Sequence, residues 1–181
     1  MHFLTSGQNV QKLGDDEEEV TIMAKTLVAY FSASGVTKAL AQRLAGAIGA
    51  DIFEIVPETP YTDADLNWRD QSSRSSVEMK DKSFRPPVAS KVEDMGQYST
   101  VFVGFPIWWY VAPTIINTFL EGYDLTGKRV VPFATSGMSG MGKTNAELAG
   151  SCPGAELIEG KRFDANAAAD DLVAWANEYV K

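Results

Sequence analysis

Short apolar segments alternate with segments of helical periodicity along most of this sequence, and this alternation restricts the fold more than any other feature. The apolar segments are rich in β-branched and aromatic residues, which is typical of strands. Strands are predicted at 26–31, 51–56, 100–104, 129–134 and 156–158, the last open to continuation through 163, and helices at 37–48, 113–120, 144–149 and 167–180. Strict alternation of the two predicts an α/β domain with helices on both faces of a parallel sheet.

Residues 58–91 break this alternation, because they are polar and contain no predicted strand. We interpret them as a long excursion that carries one surface helix at about 64–82. A chain of 181 residues suits one domain better than two, and we place that domain at 23–181. Residues 1–22 include an acidic run and precede Met23, which resembles a second start point. We therefore interpret 1–22 as a tag or an N-terminal extension.

Composition excludes several classes of function. A formal net charge of −8 argues against general nucleic-acid binding, which requires basic surface to meet the phosphates. The sequence has one cysteine, Cys152, and one histidine, His2, so it excludes an intrachain disulfide and argues against metal sites built on these residues and against His-dependent triads. No apolar run approaches the roughly 20 residues of a membrane helix. The N-terminus lacks a secretory pattern, and we expect a cytoplasmic protein.

The loop after the first strand has the composition of an anion site. It consists of Ser32, Ala33, Ser34, Gly35, Val36 and Thr37, and it joins a buried strand to a helix N-terminus. Free backbone amides and the helix dipole attract anions at such a junction, and the three hydroxyls add donors. Because the loop itself contains no lysine or arginine, we favour a permanently bound phosphate monoester over one that is transferred. Simple N-capping by the hydroxyls is the alternative.

Three consecutive aromatic residues, Trp108, Trp109 and Tyr110, follow the third strand. Ligands of open α/β sheets bind beyond the carboxyl ends of the strands. Three adjacent aromatic side chains cannot all point into one core, so we expect at least one of them to face a flat ring system in this crevice. A hydrophobic cluster or a dimer contact is the alternative, especially for one of the two tryptophans.

The loop after the fourth strand, 135–142, is rich in glycine and can approach a ligand closely with its backbone. Residues 137–144 also match G-x-x-x-x-G-K-T, the phosphate-binding loop of many nucleoside triphosphatases, between a predicted strand and a predicted helix. No apolar strand ending in a metal-binding aspartate follows it, and a nucleotide loop would leave the first two loops unexplained. We interpret the match mainly as chance.

Together the three loops resemble the cofactor-binding segments of the flavodoxin-like family, over about residues 26–163. The resemblance implies a three-layer sandwich with a five-stranded parallel sheet in the order 2-1-3-4-5, and flavin mononucleotide (FMN) as the cofactor. It implies phosphate contacts from Ser32, Ser34, Val36 and Thr37 within 32–37, and ring contacts from Pro106, Ile107, Trp108, Trp109, Thr135, Ser136, Gly137 and Gly140.

The sequence departs from the family pattern at three places. Val36 stands where asparagine is common, Tyr110 stands where glycine is usual, and the excursion at 58–91 is longer than in the simplest flavodoxins. From these three loops we also expect no positively charged side chain beside the flavin ring.

We interpret the chain as an FMN-binding electron-transfer protein. Its expected partner is a redox protein or a small quinone, and a homodimer is one possible oligomeric state. An NAD(P)H-dependent FMN quinone reductase is the first alternative. A nucleotide-binding protein that uses 137–144 is the second. A third is a non-redox role, in which the fold stores FMN or serves as an interaction module.

Overall fold

The computed structural model describes residues 24–180, so the predicted N-terminal extension at 1–22 lies outside the described residues. The strands are β1 (Lys25–Tyr30), β2 (Asp51–Glu54), β3 (Tyr98–Pro106), β4 (Arg129–Thr135), β5 (Glu156–Leu157) and β6 (Lys161–Phe163). The helices are α1 (Val36–Ile48), α2 (Arg74–Lys80), α3 (Thr114–Glu121), α4 (Thr144–Ala149) and α5 (Ala169–Ala176). Among these helices none is both long and apolar enough to cross a bilayer.

The strands form one parallel sheet in the order β2-β1-β3-β4-β5, which confirms the predicted order and fold class. The fifth position of the sheet is divided, because both β5 and β6 pair with β4. Between them, the Asn145 side chain of α4 donates to Ile158 O at 2.7 Å and accepts from Gly160 N at 2.9 Å. One amide group thus hydrogen-bonds to the backbone in the gap between the two short strands.

Both faces of the sheet are buried, which explains why its strands are apolar without polar alternation. On one face, strand residues pack with α3 and α4 around Leu27, Val101, Val103, Ile116, Phe119 and Leu148. On the other face, strand residues pack with α1 and α5 around Val28, Phe102, Val131, Leu40, Leu44, Leu172 and Trp175. The helix α1 ends at Gly49, whose φ of 66° is the left-handed conformation expected of a glycine C-cap.

The excursion contains less helix than predicted, because only Arg74–Lys80 of 64–82 is helical. Before it, Thr62 and Asp65 exchange side-chain-to-backbone hydrogen bonds, and Asp70 accepts from Ser72. Such local bonds give the backbone an alternative to the helix. The helix that does form is not a plain surface helix, since its Glu78 is buried.

Three other predicted elements differ from the structure by two residues or more at an end. The strand β2 ends at Glu54 and not at 56. The closing helix is shorter than the predicted 167–180 at both ends, and turns flank it. The strand β3 is longer than the predicted 100–104 by two residues at each end, and it reaches Pro106 because β4 pairs with it along that length.

Gly104 lies at the centre of the sheet, where a Cβ atom would stand 2.2 Å from Cζ of Phe133. We expect Gly104→Ala to lower the free energy of unfolding by about 1–3 kcal/mol, because the ring has to leave its position. Urea denaturation measures this change. Gly46→Ala is the matched control: Gly46 lies inside α1 with open space around it, so alanine there should stabilise by about 0.5–1 kcal/mol. Equal effects of the two substitutions would contradict this account of Gly104.

Candidate functional site

Three loops lie together at one edge of the sheet, where the neighbouring parallel strands β1, β3 and β4 end. We call them the first loop (31–35), the second loop (107–113) and the third loop (136–143). Phe31 N donates to Gly104 O at 2.9 Å, and Ile107 N donates to Thr135 O at 3.0 Å. The backbone hydrogen bonds of the sheet therefore continue into the loops and fix their starting points.

The first loop leaves the N-terminus of α1 open. Gly35 has a φ of 90°, and its amide donates to Ser32 Oγ at 3.1 Å. Within the described chain no side chain caps α1, and its first turn contains no acidic residue. The side chain of Ser34 is exposed beside these amides. An uncapped helix of thirteen residues with unpaired first-turn amides is a site that favours an anion.

Thr37 is buried, with only 1% of its surface exposed, although the sequence placed it among the phosphate contacts. Its hydroxyl lies 2.8 Å from the hydroxyl of Thr135, at the end of β4. A hydroxyl has one hydrogen to donate. If Thr135 is the donor of this pair, the Thr37 hydrogen stays available to a ligand, and otherwise it does not. The pair joins the start of α1 to the start of the third loop.

The two tryptophans of the second loop have different environments. Trp108 packs edge-to-face against Phe31 and Tyr61, with ring centroids 5.5 Å away in both cases. Trp109 is 41% exposed and Tyr110 is 69% exposed. The aromatic cluster considered as the alternative therefore accounts for Trp108. Trp109 and Tyr110 remain as the exposed aromatic surface of the loop.

A tight turn presents these two exposed aromatic residues. Trp108 and Val111 exchange backbone hydrogen bonds of 2.9 and 3.1 Å, and the residues between them have φ values of 47° and 66°. Positive φ at both central positions is the geometry of a type I′ turn, which favours asparagine and glycine. Non-glycine residues in this region cost of order 1–3 kcal/mol each and occur often at functional sites. Glycine, which is usual in the family at the position of Tyr110, adopts such a positive φ without strain.

Tyr61, which sequence reasoning missed, supports the second loop from the excursion. Its hydroxyl donates to buried Glu78, and Arg74 Nε donates to the other oxygen of that carboxylate at 2.8 Å. The Arg74 guanidinium carbon also lies 3.8 Å from the centroid of the Tyr61 ring. Burial, with a further contribution from Glu78, raises the pKa of Tyr61 well above its usual value, so the phenol remains a donor. No motif or periodicity around Tyr61 marks it in the sequence.

The third loop contacts the second loop through a glycine. Gly142 has a φ of 51°, and a Cβ atom there would lie 2.1 Å from Tyr110 O. Within the third loop, Ser139 N donates to Ser136 Oγ at 2.8 Å. Met138 at its tip is almost fully exposed. Glycine at 142 is therefore required both by its own backbone conformation and by the close approach of the second loop.

A cation lies beside the third loop, contrary to the sequence-based expectation. Arg162 of β6 donates to Ser136 O at 3.0 Å and pairs with Asp164 at 3.1 Å. It was missed because it lies 26 residues after Ser136 in the chain and belongs to the divided edge strand. The sequence signal that could have identified it is the continuation of the fifth strand through 163.

The nucleotide-loop interpretation of 137–144 does not fit this geometry. Thr144 is fully buried, and its hydroxyl donates to Met141 O. In a nucleoside triphosphatase loop, that hydroxyl has to reach a magnesium ion. The motif is therefore a coincidence of residue types in a loop whose Thr144 begins the six-residue helix α4.

Comparisons with known proteins agree with the fold. A crystal structure of a Bacteroides eggerthii protein has a TM-score of 0.82 and 46% identity, and the match covers 88% of this chain and 99% of that one. A Bacteroides uniformis protein has a TM-score of 0.80 and 45% identity, with 85% and 98% covered. A flavoprotein from Lactobacillus acidophilus, solved in complex with FMN, has a TM-score of 0.66 and 22% identity, with 88% and 100% covered.

A search of curated proteins found no significant match. The sequence profile that matches the chain is described as flavodoxin, and it covers residues 25–179. That span includes the whole sheet, the three loops and all five helices. The chain therefore belongs to the flavodoxin family.

Proposed function

We propose that this chain binds FMN at the three-loop edge and transfers electrons through it. The observation that carries the proposal is the uncapped N-terminus of α1, flanked by exposed Ser34 and lying at the same sheet edge as the exposed indole of Trp109. A phosphate and a flat ring joined in one ligand match this pair of features. The Lactobacillus acidophilus flavoprotein, which has the same fold, was solved with FMN.

The first loop fits the phosphate. The free amides of the first turn of α1, together with Ser32 and Ser34, supply neutral donors, and no carboxylate of that turn opposes the anion. Val36 contributes only its amide. Thr37 contributes its amide and, when Thr135 is the donor of their pair, its hydroxyl. A site of neutral donors holds a phosphate monoester in place without favouring its transfer.

The second and third loops fit the ring. Trp109 gives an exposed aromatic face, Pro106 and Ile107 are half-buried next to it, and Trp108 supports the turn from beneath. The end of β4 at Thr135 and the third loop, through the backbone of 136–137 and Gly140, lie on the other side. Bound FMN supplies the one- and two-electron chemistry. The residues of the chain orient the ring, exclude water from one face and, through Arg162 beside Ser136, place positive charge near the third loop.

The electron partner is either a redox protein or a small quinone. Residues 23–181 hold −4 of the net charge of −8, and this mild acidic bias suits a basic protein partner. Reconstitution with FMN, followed by a turnover assay with NAD(P)H and a quinone, separates a carrier from a reductase. A carrier accepts electrons from dithionite but oxidises NAD(P)H no faster than free FMN does. Failure of the purified chain to acquire flavin absorbance would overturn the proposal itself.

Ser34 is the cleanest test of the phosphate site, because its side chain is exposed at the helix N-terminus. Ser34→Ala should remove one charge-assisted hydrogen bond of about 1.5–3 kcal/mol and weaken FMN binding about 10- to 150-fold. Riboflavin, which lacks the phosphate, should bind as before. Fluorescence titration measures both affinities. Ser90→Ala, at an exposed serine away from the loops, is the control. Equal losses for FMN and riboflavin would place the phosphate elsewhere.

Trp109 tests the ring site. Trp109→Ala should weaken FMN and riboflavin by the same factor, about 2- to 12-fold for an aromatic contact of about 0.5–1.5 kcal/mol. Trp68→Ala is the matched control, since Trp68 is 63% exposed and belongs to none of the three loops. The same titration serves both variants. Unequal losses for the two ligands, or an equal effect of the control, would remove Trp109 from the ring site.

Gly142 tests whether the contact between the second and third loops matters for binding. Gly142→Ala forces Tyr110 O away and puts alanine at a positive φ, so we expect FMN affinity to fall at least about 10-fold. The free energy of unfolding should also fall by about 1–3 kcal/mol. Gly150→Ala, at a C-cap with φ of −71° and open space, is the control. Unchanged FMN affinity in Gly142→Ala would show that the ring does not depend on this contact.

A further inference from the structure

A cleft of about 450 Å³ opens beside the tight turn of the second loop. Its lining comes from the excursion (Met79, Lys82), the turn (Trp109, Tyr110), the start of α3 (Thr114) and the third loop (Lys143). No residue of 32–37 lines it, so the cleft does not include the phosphate site. Its volume is that of a small-molecule site. We call it the excursion cleft.

The walls of the excursion cleft are apolar and aromatic, with one polar group that has no partner. Met79, Trp109 and Tyr110 form much of the wall, and Val111 and Ala112 continue it. Thr114 is 93% buried, and its hydroxyl finds no hydrogen-bond partner within residues 24–180. A buried hydroxyl without a partner is uncommon because it loses its hydrogen bonds to water. Because the Thr114 oxygen has almost no exposed surface, it is the apolar wall that would suit a flat ligand.

The charges around the excursion cleft are mainly positive, although the chain as a whole is acidic. Three cations line it, Lys82, Arg85 and Lys143, against one carboxylate, Glu147. Lys82 pairs with Glu147, and Arg85 pairs with Glu121. Lys143 is exposed and forms no ion pair with any residue that the structure describes. The unmatched charge at the rim is therefore positive, and it favours an anion.

We propose that the excursion cleft binds a small planar aromatic molecule that carries a carboxylate or sulfonate group. The ring lies against Tyr110 and Met79, and the anionic group faces Lys143. Such binding does not require FMN, and it goes beyond the proposed function. Trp109 and Gly142 border both the cleft and the loops that we propose for the flavin ring. The test must therefore separate the two sites.

Naphthalene-2-carboxylate and its neutral analogue, naphthalene-2-carboxamide, are the probes. Calorimetric titration into the chain without FMN should show carboxylate binding with a Kd of about 1 mM or below. The carboxamide should bind about five-fold more weakly, as expected for the loss of one exposed charge interaction. Titration in the presence of saturating FMN should give the same carboxylate affinity. Displacement of one ligand by the other would show that the cleft is part of the flavin site and would overturn the proposal.

Lys143→Gln should abolish the preference for the carboxylate while leaving carboxamide binding unchanged. Lys91→Gln is the matched control, because Lys91 is also exposed but lies outside the cleft. A preference that survives in Lys143→Gln, or no preference in the original chain, would overturn the proposal. If the chain binds the carboxylate but never FMN, the proposed function fails and this site stands.

Discussion

The structure depends on one constraint, the burial of both faces of a parallel sheet. Helices α1 and α5 cover one face, and α3 and α4 cover the other, so the strand residues on each side face protein rather than water. A parallel sheet of this kind places all strand-to-helix connections at the same edge. Two residues that are 98 positions apart in the chain, Thr37 and Thr135, therefore lie within hydrogen-bonding distance.

The loops at this edge support one another rather than standing alone. The start of α1, which follows the first loop, meets the end of β4, which precedes the third loop, through the hydroxyls of Thr37 and Thr135. The second and third loops meet where Gly142 approaches Tyr110. The excursion holds the second loop through Trp108 and Tyr61, and buried Glu78 and Arg74 fix Tyr61 in turn. The strained turn at Trp109 and Tyr110 persists because its surroundings determine its position. The excursion is thus a structural part of the site and not a peripheral insertion.

Much of the fold could be predicted from the sequence, because periodicity and turn residues report burial directly. The strand positions, to within two residues at each end, and the sheet order agree with the structure, and the family resemblance is confirmed. The errors have two sources. The helix α2 is shorter than predicted because of local side-chain bonds at Thr62, Asp65 and Asp70. The positions of Tyr61 and Arg162 depend instead on packing between distant segments. Nothing in the local composition encodes such contacts, so the residues that support the site were the ones missed.

The divided edge strand has a mechanical consequence for the third loop. Asn145 follows that loop at the start of α4 and is bonded to the backbone on both sides of the gap between β5 and β6. Arg162, two residues after Gly160, donates a hydrogen bond to Ser136 O at the other end of the same loop. The third loop is therefore connected to the divided edge strand at both of its ends, so neither can shift without the other. The outermost strand would resist a movement of the third loop on ligand binding. A substitution that displaces this strand would in turn change the affinity for the ligand.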